Sequence, residues 1–298
     1  MDWAKGLAGA ALAVALAIGG YVGFGALSGQ PDGIPDGFVY AVDSSYDALT
    51  YAEALRLKEA GVVLYIQALT AYPQSGLHQP ASRVSSLRNA RDAGLAIAGY
   101  ALVGDPHFSG RESMDFARAG VPGDLWDALL FVAVDVEVPG YPVVEINYAL
   151  LRTQELGKPM VVYTNYNSWV NYYGDPPRLP GSLLWNASWD DHPDFDYVRR
   201  PFGGWPSTEV IGEQWSGGAY VAGQYVDRDV FRALIAPPST PILPLPTPDS
   251  PTLEERVAVL ERVILNRYSP DGRVCDEMRG TDYRSDVERS WFLSHCLN

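Results

Sequence analysis

Two carboxylates stand one residue apart in "FVAVDVEVPG", residues 131–140, a run otherwise built of valine, phenylalanine and alanine up to its closing Pro-Gly. Five of its first eight residues are Val or Phe, the composition of a strand buried on both faces. A buried carboxylate without a partner costs on the order of several kcal/mol, so the pair needs a reason. Strand alternation sets Asp135 and Glu137 on one face, about 6.6 Å apart, with Phe131 and Ala133. It sets Val132, Val134, Val136 and Val138 on the other. Two acids this close raise the pKa of at least one of them, and partial burial acts in the same direction. A carboxylic acid kept protonated beside an ionised neighbour is what glycosidic bond cleavage requires. The competing reading is a structural pair bonded to loop amides or to an arginine.

Two more acids bear on that choice. "YAVDSSY" ends a strand-like run at Asp43, and "YVDRDVF" places Asp227 near the end of the last such run. If first and last strands are neighbours in a closed barrel, Asp43 and Asp227 flank one wall of a mouth and Asp135 and Glu137 face them. In a parallel barrel the carboxyl ends of the strands form that mouth, where active sites are built.

The elements that must position these acids alternate. "GFVYAVD", "VVLYIQAL", "LAIAGYALVG", "FVAVDVEV" and "PMVVYTNY" are strand-like, and helical segments closing on Gly61, Gly94, Gly120 and Gly157 separate them. Alternating strands and helices with glycine at helix ends imply parallel strands and right-handed crossovers. Beyond Asn167 "GSLLWNASWD", "EVIGEQWSG" and "GQYVDRDVF" read as three short strands between Pro/Gly-rich loops, without long helices. Eight strands with a degenerate final portion fit a closed α/β barrel. An open doubly wound sheet is the alternative, but no GxGxxG or Walker-type loop follows an early strand, so nucleotide binding lacks support.

Six segments, "YAVDSSY", "VAVDVEV", "VVYTNYNSW", "LLWNASW", "GEQWSGG" and "YVDRDVF", occur in the order and approximate spacing of the glycoside hydrolase family 25 lysozymes, which this chain resembles over roughly residues 37–231. The resemblance implies a TIM-like (β/α)5(β)3 barrel and an N-acetylmuramidase that cuts the β-1,4 bond between N-acetylmuramic acid and N-acetylglucosamine in peptidoglycan glycan strands, with no cofactor. It makes Glu137 the catalytic acid, has Asp135 orient the substrate N-acetyl group or support developing charge, and sets Asp43 and Asp227 as the two further acids. Tyr100, Tyr163, Trp185, Gln214 and Trp215 are the expected substrate contacts, with Tyr163 and Trp185 at matching motif positions. Tyr166, Trp169 and Trp189 add to the aromatics near the same strand ends; each is as open to a packing role. Ala101 follows Tyr100 where the family usually has histidine, Gln67 stands where it often has a basic residue, and "QWS" replaces "QYS". A catalytically impaired glycan-binding or structural barrel is the alternative function.

The rest of the chain bounds this picture. The protein has 298 residues, 47% hydrophobic, with 29 glycines, 23 prolines and a net charge of −14. That charge excludes a nucleic-acid partner, which needs clustered Lys and Arg. Four scattered histidines and two cysteines give no zinc motif. Residues 6–27 run without a charge, long enough to cross a bilayer, and "ALSG" at 26–29 offers a cleavage position. The organisation expected is a signal or anchor segment and spacer over 1–36, a barrel over 37–235, a Pro-rich linker over 236–251 and a helical tail over 252–298, with the barrel secreted or membrane-tethered outside the cytoplasm. Leu253, Val257, Leu260 and Ile264 form a short stripe, read either as packing on the tail or barrel or as weak self-association through 252–265. Cys275 and Cys296 are expected to pair as a disulfide if the tail is exported.

Overall fold

The apolar faces of eight strands close on themselves and leave no sheet edge unpaired. The computed structural model of the protein describes residues 33–71 and 77–233. The strands are β1 (Phe38–Ser44), β2 (Leu64–Thr70), β3 (Ala96–Leu102), β4 (Leu129–Asp135), β5 (Met160–Asn165), β6 (Leu183–Ala187), β7 (Val210–Val221) and β8 (Gln224–Arg232), in sequence order around the barrel. Neighbours from β1 to β7 are parallel; β8 runs antiparallel to both β7 and β1. The alternation expected from the sequence is therefore the observed architecture, a TIM-like α/β barrel.

Helices α1 (Tyr51–Glu59), α2 (Arg83–Asp92), α3 (Gly110–Ala119), α4 (Gly123–Ala128) and α5 (Val143–Glu155) cover the first five strands. Two of them begin with a reciprocal capping box, Thr50 with Glu53 and Ser109 with Glu112, which satisfies backbone donors that the first helical turn leaves bare. After β5 the crossovers lose their long helices. A five-residue π-helical turn (Ser168–Tyr172) precedes β6, and two short 3₁₀ turns precede β7.

The alternation of β4 is as the sequence implies. Phe131 and Ala133 enter the barrel core with Ile66, Ala98, Val161, Trp185 and Phe231, while Val132, Val134 and Val136 are fully buried on the other face. Phe131, Phe231 and Trp185 stack at centroid distances of 5.4–6.3 Å. Gly212 makes room for this stack, since a Cβ there would lie 2.4 Å from the Phe231 ring. Removing an aromatic of this kind costs about 3–5 kcal/mol.

Three details differ from expectation. β4 ends at Asp135, so Glu137 lies just past the strand, in the turn that Gly140 closes with a positive φ of 83°. The last two strands form one long hairpin turning at Ala222 and Gly223, longer than the separate short strands expected. Gln67, expected at a strand end, lies mid-strand. It is fully buried and ties the Tyr65 hydroxyl to the Ser44 carbonyl, on the face opposite Ile66 and Ala68.

Among the described residues no helix is long and apolar enough to cross a membrane. The apolar stretch 6–27, the Pro-rich linker, the stripe at 252–265 and Cys275 with Cys296 lie outside the described residues.

Candidate active site

The four acids singled out by sequence converge at the carboxyl end of the parallel strands. Asp43 and Asp227 are directly paired across the β1–β8 ladder. Asp135 closes β4, three strands from β1 and four from β8 around the barrel, and Glu137 follows it at the rim. Asp43 and Asp135 are 3% and 6% exposed; Glu137 and Asp227 are half-buried.

Burial is the main force on every one of them. It holds the Asp135 carboxyl well above the ordinary carboxylate range, with Glu137 and Asp43 adding repulsion. Asp43 is pushed up to about 8, by burial first and then by Asp227. Glu137 is raised by burial, offset in part by the Asn165 amide and pushed further by Asp227. Asp227 is raised by burial and eased by the Gly218 N–H. Desolvation penalises a charged carboxyl more than a neutral one, so the mouth favours protonated acids, and Asp135 Oδ1 is buried without a hydrogen-bond partner.

Gln214 knits the mouth together. Its Oε1 accepts from the Tyr163 hydroxyl at 2.8 Å and from Trp189 Nε1 at 2.6 Å. An indole N–H only donates, so the amide orientation is fixed and Gln214 Nε2 must face the acids. There it donates to Asp43 at 2.6 Å and, more weakly, to Asp227 at 3.5 Å. Asn165 Nδ2 donates to Glu137 Oε1 at 2.9 Å, while Asn165 Oδ1 accepts from the Ser168 N–H and is thereby oriented. Tyr100 shares a hydrogen bond of 2.8 Å with Ser45 and packs on Tyr163.

Two irregularities in the β7–β8 pairing shape one wall. Gln214 pairs with Asp229 and Ser216 with Arg228, so Trp215 is an extra residue on β7; a second shift follows before Ala219. Bulges of this kind re-aim side chains and backbone groups. The second carries Gly217 and Gly218, and the Gly218 N–H points at Asp227. Gly218 has φ +69°, and a Cβ there would lie 2.3 Å from the Tyr225 hydroxyl, so only glycine fits. Beside this wall opens a cavity of about 580 Å³ whose lining includes Asp43, Tyr46, Trp189, Tyr225 and Asp227. Asp135 and Glu137 are not part of that lining; they come from β4, on the opposite side of the mouth.

Two of the expected substrate contacts, Trp185 and Trp215, are covered side chains. Trp185 is 1% exposed, lies among Phe131 and Phe231, and donates Nε1 to Asp229 at 2.9 Å; it supports the mouth from below. Trp215, displaced by its bulge, is 4% exposed and covered by the Arg228 guanidinium 3.9 Å from its ring centroid. Trp169 is likewise buried, bonded to the Pro176 carbonyl and packed on Trp205, and Tyr166 lies beneath the Arg200 guanidinium. Trp189 is instead the most exposed aromatic of the cavity lining, at 67%, with Tyr46 and Tyr225 exposed beside it. The signal for it was available: Trp185 falls inside its strand, whereas Trp189 falls beyond the strand end. Asp229, fully buried two residues after Asp227 and below the rim, is a further acid that sequence reasoning passed over. Among the described residues no group of three or more His, Cys, Asp or Glu is arranged to hold a metal ion.

No protein-family model and no curated protein sequence matches this chain. Solved structures do. A muramidase from Trichobolus zukalii is similar at 23% identity and a TM-score of 0.51, over 65% of this chain and 93% of that one. A muramidase from Acremonium alcalophilum is similar at 17% and 0.54, over 66% and 98%. A family GH25 lysozyme from Aspergillus fumigatus is similar at 16% and 0.53, over 67% and 99%. At these identities the likeness is one of fold: this barrel is similar to the barrels of those two muramidases and that GH25 lysozyme.

Proposed function

We propose that the protein is a peptidoglycan hydrolase, an N-acetylmuramidase that cleaves the β-1,4 bond between N-acetylmuramic acid and N-acetylglucosamine. The observation that carries the proposal is the meeting of Asp135 and Glu137 at the end of β4 with Asp43 and Asp227 across the mouth, each with its carboxyl raised above the ordinary range. The motifs that resemble the family 25 lysozymes and the lysozyme-type barrel support it.

Glu137 is the proton donor. It stands at the rim where a glycosidic oxygen can reach it, and its raised pKa keeps it protonated toward neutral pH. The Asn165 amide fixes one of its oxygens and leaves the other to face substrate. Asp135, deeper and with Oδ1 unpartnered, orients the substrate N-acetyl group or supports the charge that develops at the sugar. Asp227 stands opposite with one oxygen held by the Gly218 N–H. Trp189 offers an exposed ring on which the C–H face of a sugar can stack, its Nε1–H anchored on Gln214. No step calls for a metal or organic cofactor. The proposed workplace is outside the cytoplasm, where the substrate is.

Digesting purified peptidoglycan with the protein and identifying the new reducing ends by mass spectrometry tests this reading. Muramic acid at the new ends is the expected result. Glucosamine ends would overturn the bond assignment. Binding of glycan with no new ends would establish instead a catalytically impaired glycan-binding barrel.

A further inference from the structure

Asp229 sits one strand repeat below Asp227 on the inner face of β8, fully buried, and its two oxygens have different surroundings. Oδ1 accepts the Trp185 indole N–H at 2.9 Å. Oδ2 is buried without a donor; Asp229 pairs with Ala41 across the β1–β8 ladder, one inner-face position from Asp43, and the hydrogen-bonding group this carboxyl meets there is the Asp43 carboxyl. Asp43 in turn spends one oxygen on the 2.6 Å bond from Gln214. Two bare carboxylate oxygens facing each other in a water-excluded strand pair combine repulsion with an unmet acceptor, each costly. One proton between them removes both penalties.

We propose that Asp229 is a permanently neutral carboxylic acid whose hydroxyl donates to Asp43, making it the positioning residue of the mouth. The proton resides on Asp229 because its surroundings are the less polar: Trp185 and Phe231 are its inner-face neighbours, and no amide donor corresponds to the one Gln214 gives Asp43. The chain then runs without a break from Trp185 through Asp229, Asp43 and Gln214 to Tyr163 and Trp189. With both oxygens engaged, Asp43 is an anchor for Gln214 and is not free to act as a base. This assigns Asp43 a role beyond the hydrolase reading, and the mouth it orders is the one that reading uses.

The titratable groups around the pair agree. Asp227 beside it on β8 and Glu137 from the β4 turn repel charge on Asp43, and Asp43 in turn acts on Asp135. Tyr100 from β3 and Tyr163 from β5 face Asp43 on the inner side, and Tyr65 lies on the outer side of β2; all three are neutral phenols held above their ordinary range by burial. Tyr40 and Arg228 lie on the outer side of the β1–β8 pair, and the Arg228 guanidinium is committed to Trp215, Ser216 and Asp191. Burial and the neighbouring Asp43 and Asp227 hold Asp229 well above the ordinary carboxylate range.

Net charge tests this without any glycan, so its outcome is independent of whether the protein cleaves peptidoglycan. Capillary electrophoresis at about pH 6.5 compares wild type with Asp229→Asn and with Asp124→Asn, a surface carboxylate that its Arg91 partner keeps ionised. Asp124→Asn removes one negative charge. Asp229→Asn is expected to remove none, because an amide replaces a neutral acid and its N–H takes over the donation to Asp43. Loss of one full charge in Asp229→Asn would overturn the proposal. If that variant does not fold, carbon-13 spectra of aspartate-labelled wild type decide. The Asp229 carboxyl, assigned through its own backbone connectivities, must stay at its protonated shift from about pH 4 to about pH 7; an ionised shift there refutes the assignment.

Discussion

Replacing Glu137 by glutamine separates chemistry from architecture at this mouth. The side chain sits at the rim past β4, half-buried, and its one described hydrogen bond comes from Asn165 Nδ2 to Oε1. Glutamine keeps an Oε1 acceptor in the same place, so that bond survives. What is lost is a removable proton. General acid catalysis contributes about 10²–10⁴-fold, equivalent to about 3–5 kcal/mol of barrier, and turnover should fall by that factor or more. Stability should not fall with it. The variant removes a carboxyl that repels Asp135, so its unfolding free energy should match wild type or exceed it by about 0.5–1 kcal/mol. The assay is release of reducing ends from soluble peptidoglycan, run beside urea denaturation followed by circular dichroism. Retention of more than about a tenth of wild-type turnover would refute the assignment of Glu137 as the acid. Collapse of the fold would show that the two acids on β4 are a structural network.

The pH dependence of turnover should follow the neighbours of Glu137. A general acid loses activity as pH rises through its raised pKa; Asn165→Ala removes the bond that lowers that pKa and should move the basic limb up, whereas Asp227→Asn removes repulsion and should move it down. Equal limbs in all three proteins would sink this account. Stability should also vary with pH in an unusual sense. The Asp43–Asp229 pair keeps a proton on folding that free carboxyls give up near 3.8, with Asp43 pushed up to about 8 and Asp229 well above its ordinary range, so the pair's contribution is fully present below about 3.8 and is lost as pH rises toward 8. Urea midpoints should therefore fall between about pH 5 and pH 8, and Asp43→Asn should flatten that fall; a wild-type midpoint that rises over this interval would contradict the raised carboxyl. Gly212→Ala should cost about 1–3 kcal/mol by driving a methyl group into the Phe231 ring, measurable in the same denaturation experiment, and a neutral result would show that the core stack can yield.

What the sequence by itself determined is what depends on short-range pattern. Period-two alternation put Asp135 on the inner face of β4 with Phe131 and Ala133, because side-chain direction along a strand is set by the backbone and needs no partner. Helix-ending glycines and apolar runs revealed the order of the strands, and the loss of long crossovers after Asn167 marked the last three. The pairing of Asp43 with Asp227 followed once closure was assumed. Tertiary structure alone decided depth and aim. Trp185 is motif-like in sequence, yet its place in the strand sets it below the mouth, where Phe131 and Phe231 enclose it. Trp215 lies beside Gln214 in the chain, yet a bulge in the β7–β8 ladder carries it out under Arg228. Asp229 reads as one more acid until closure of the barrel brings it to Asp43, 186 positions earlier in the chain. Such outcomes depend on register between distant strands, which the whole barrel sets when it closes and which no local stretch of sequence contains.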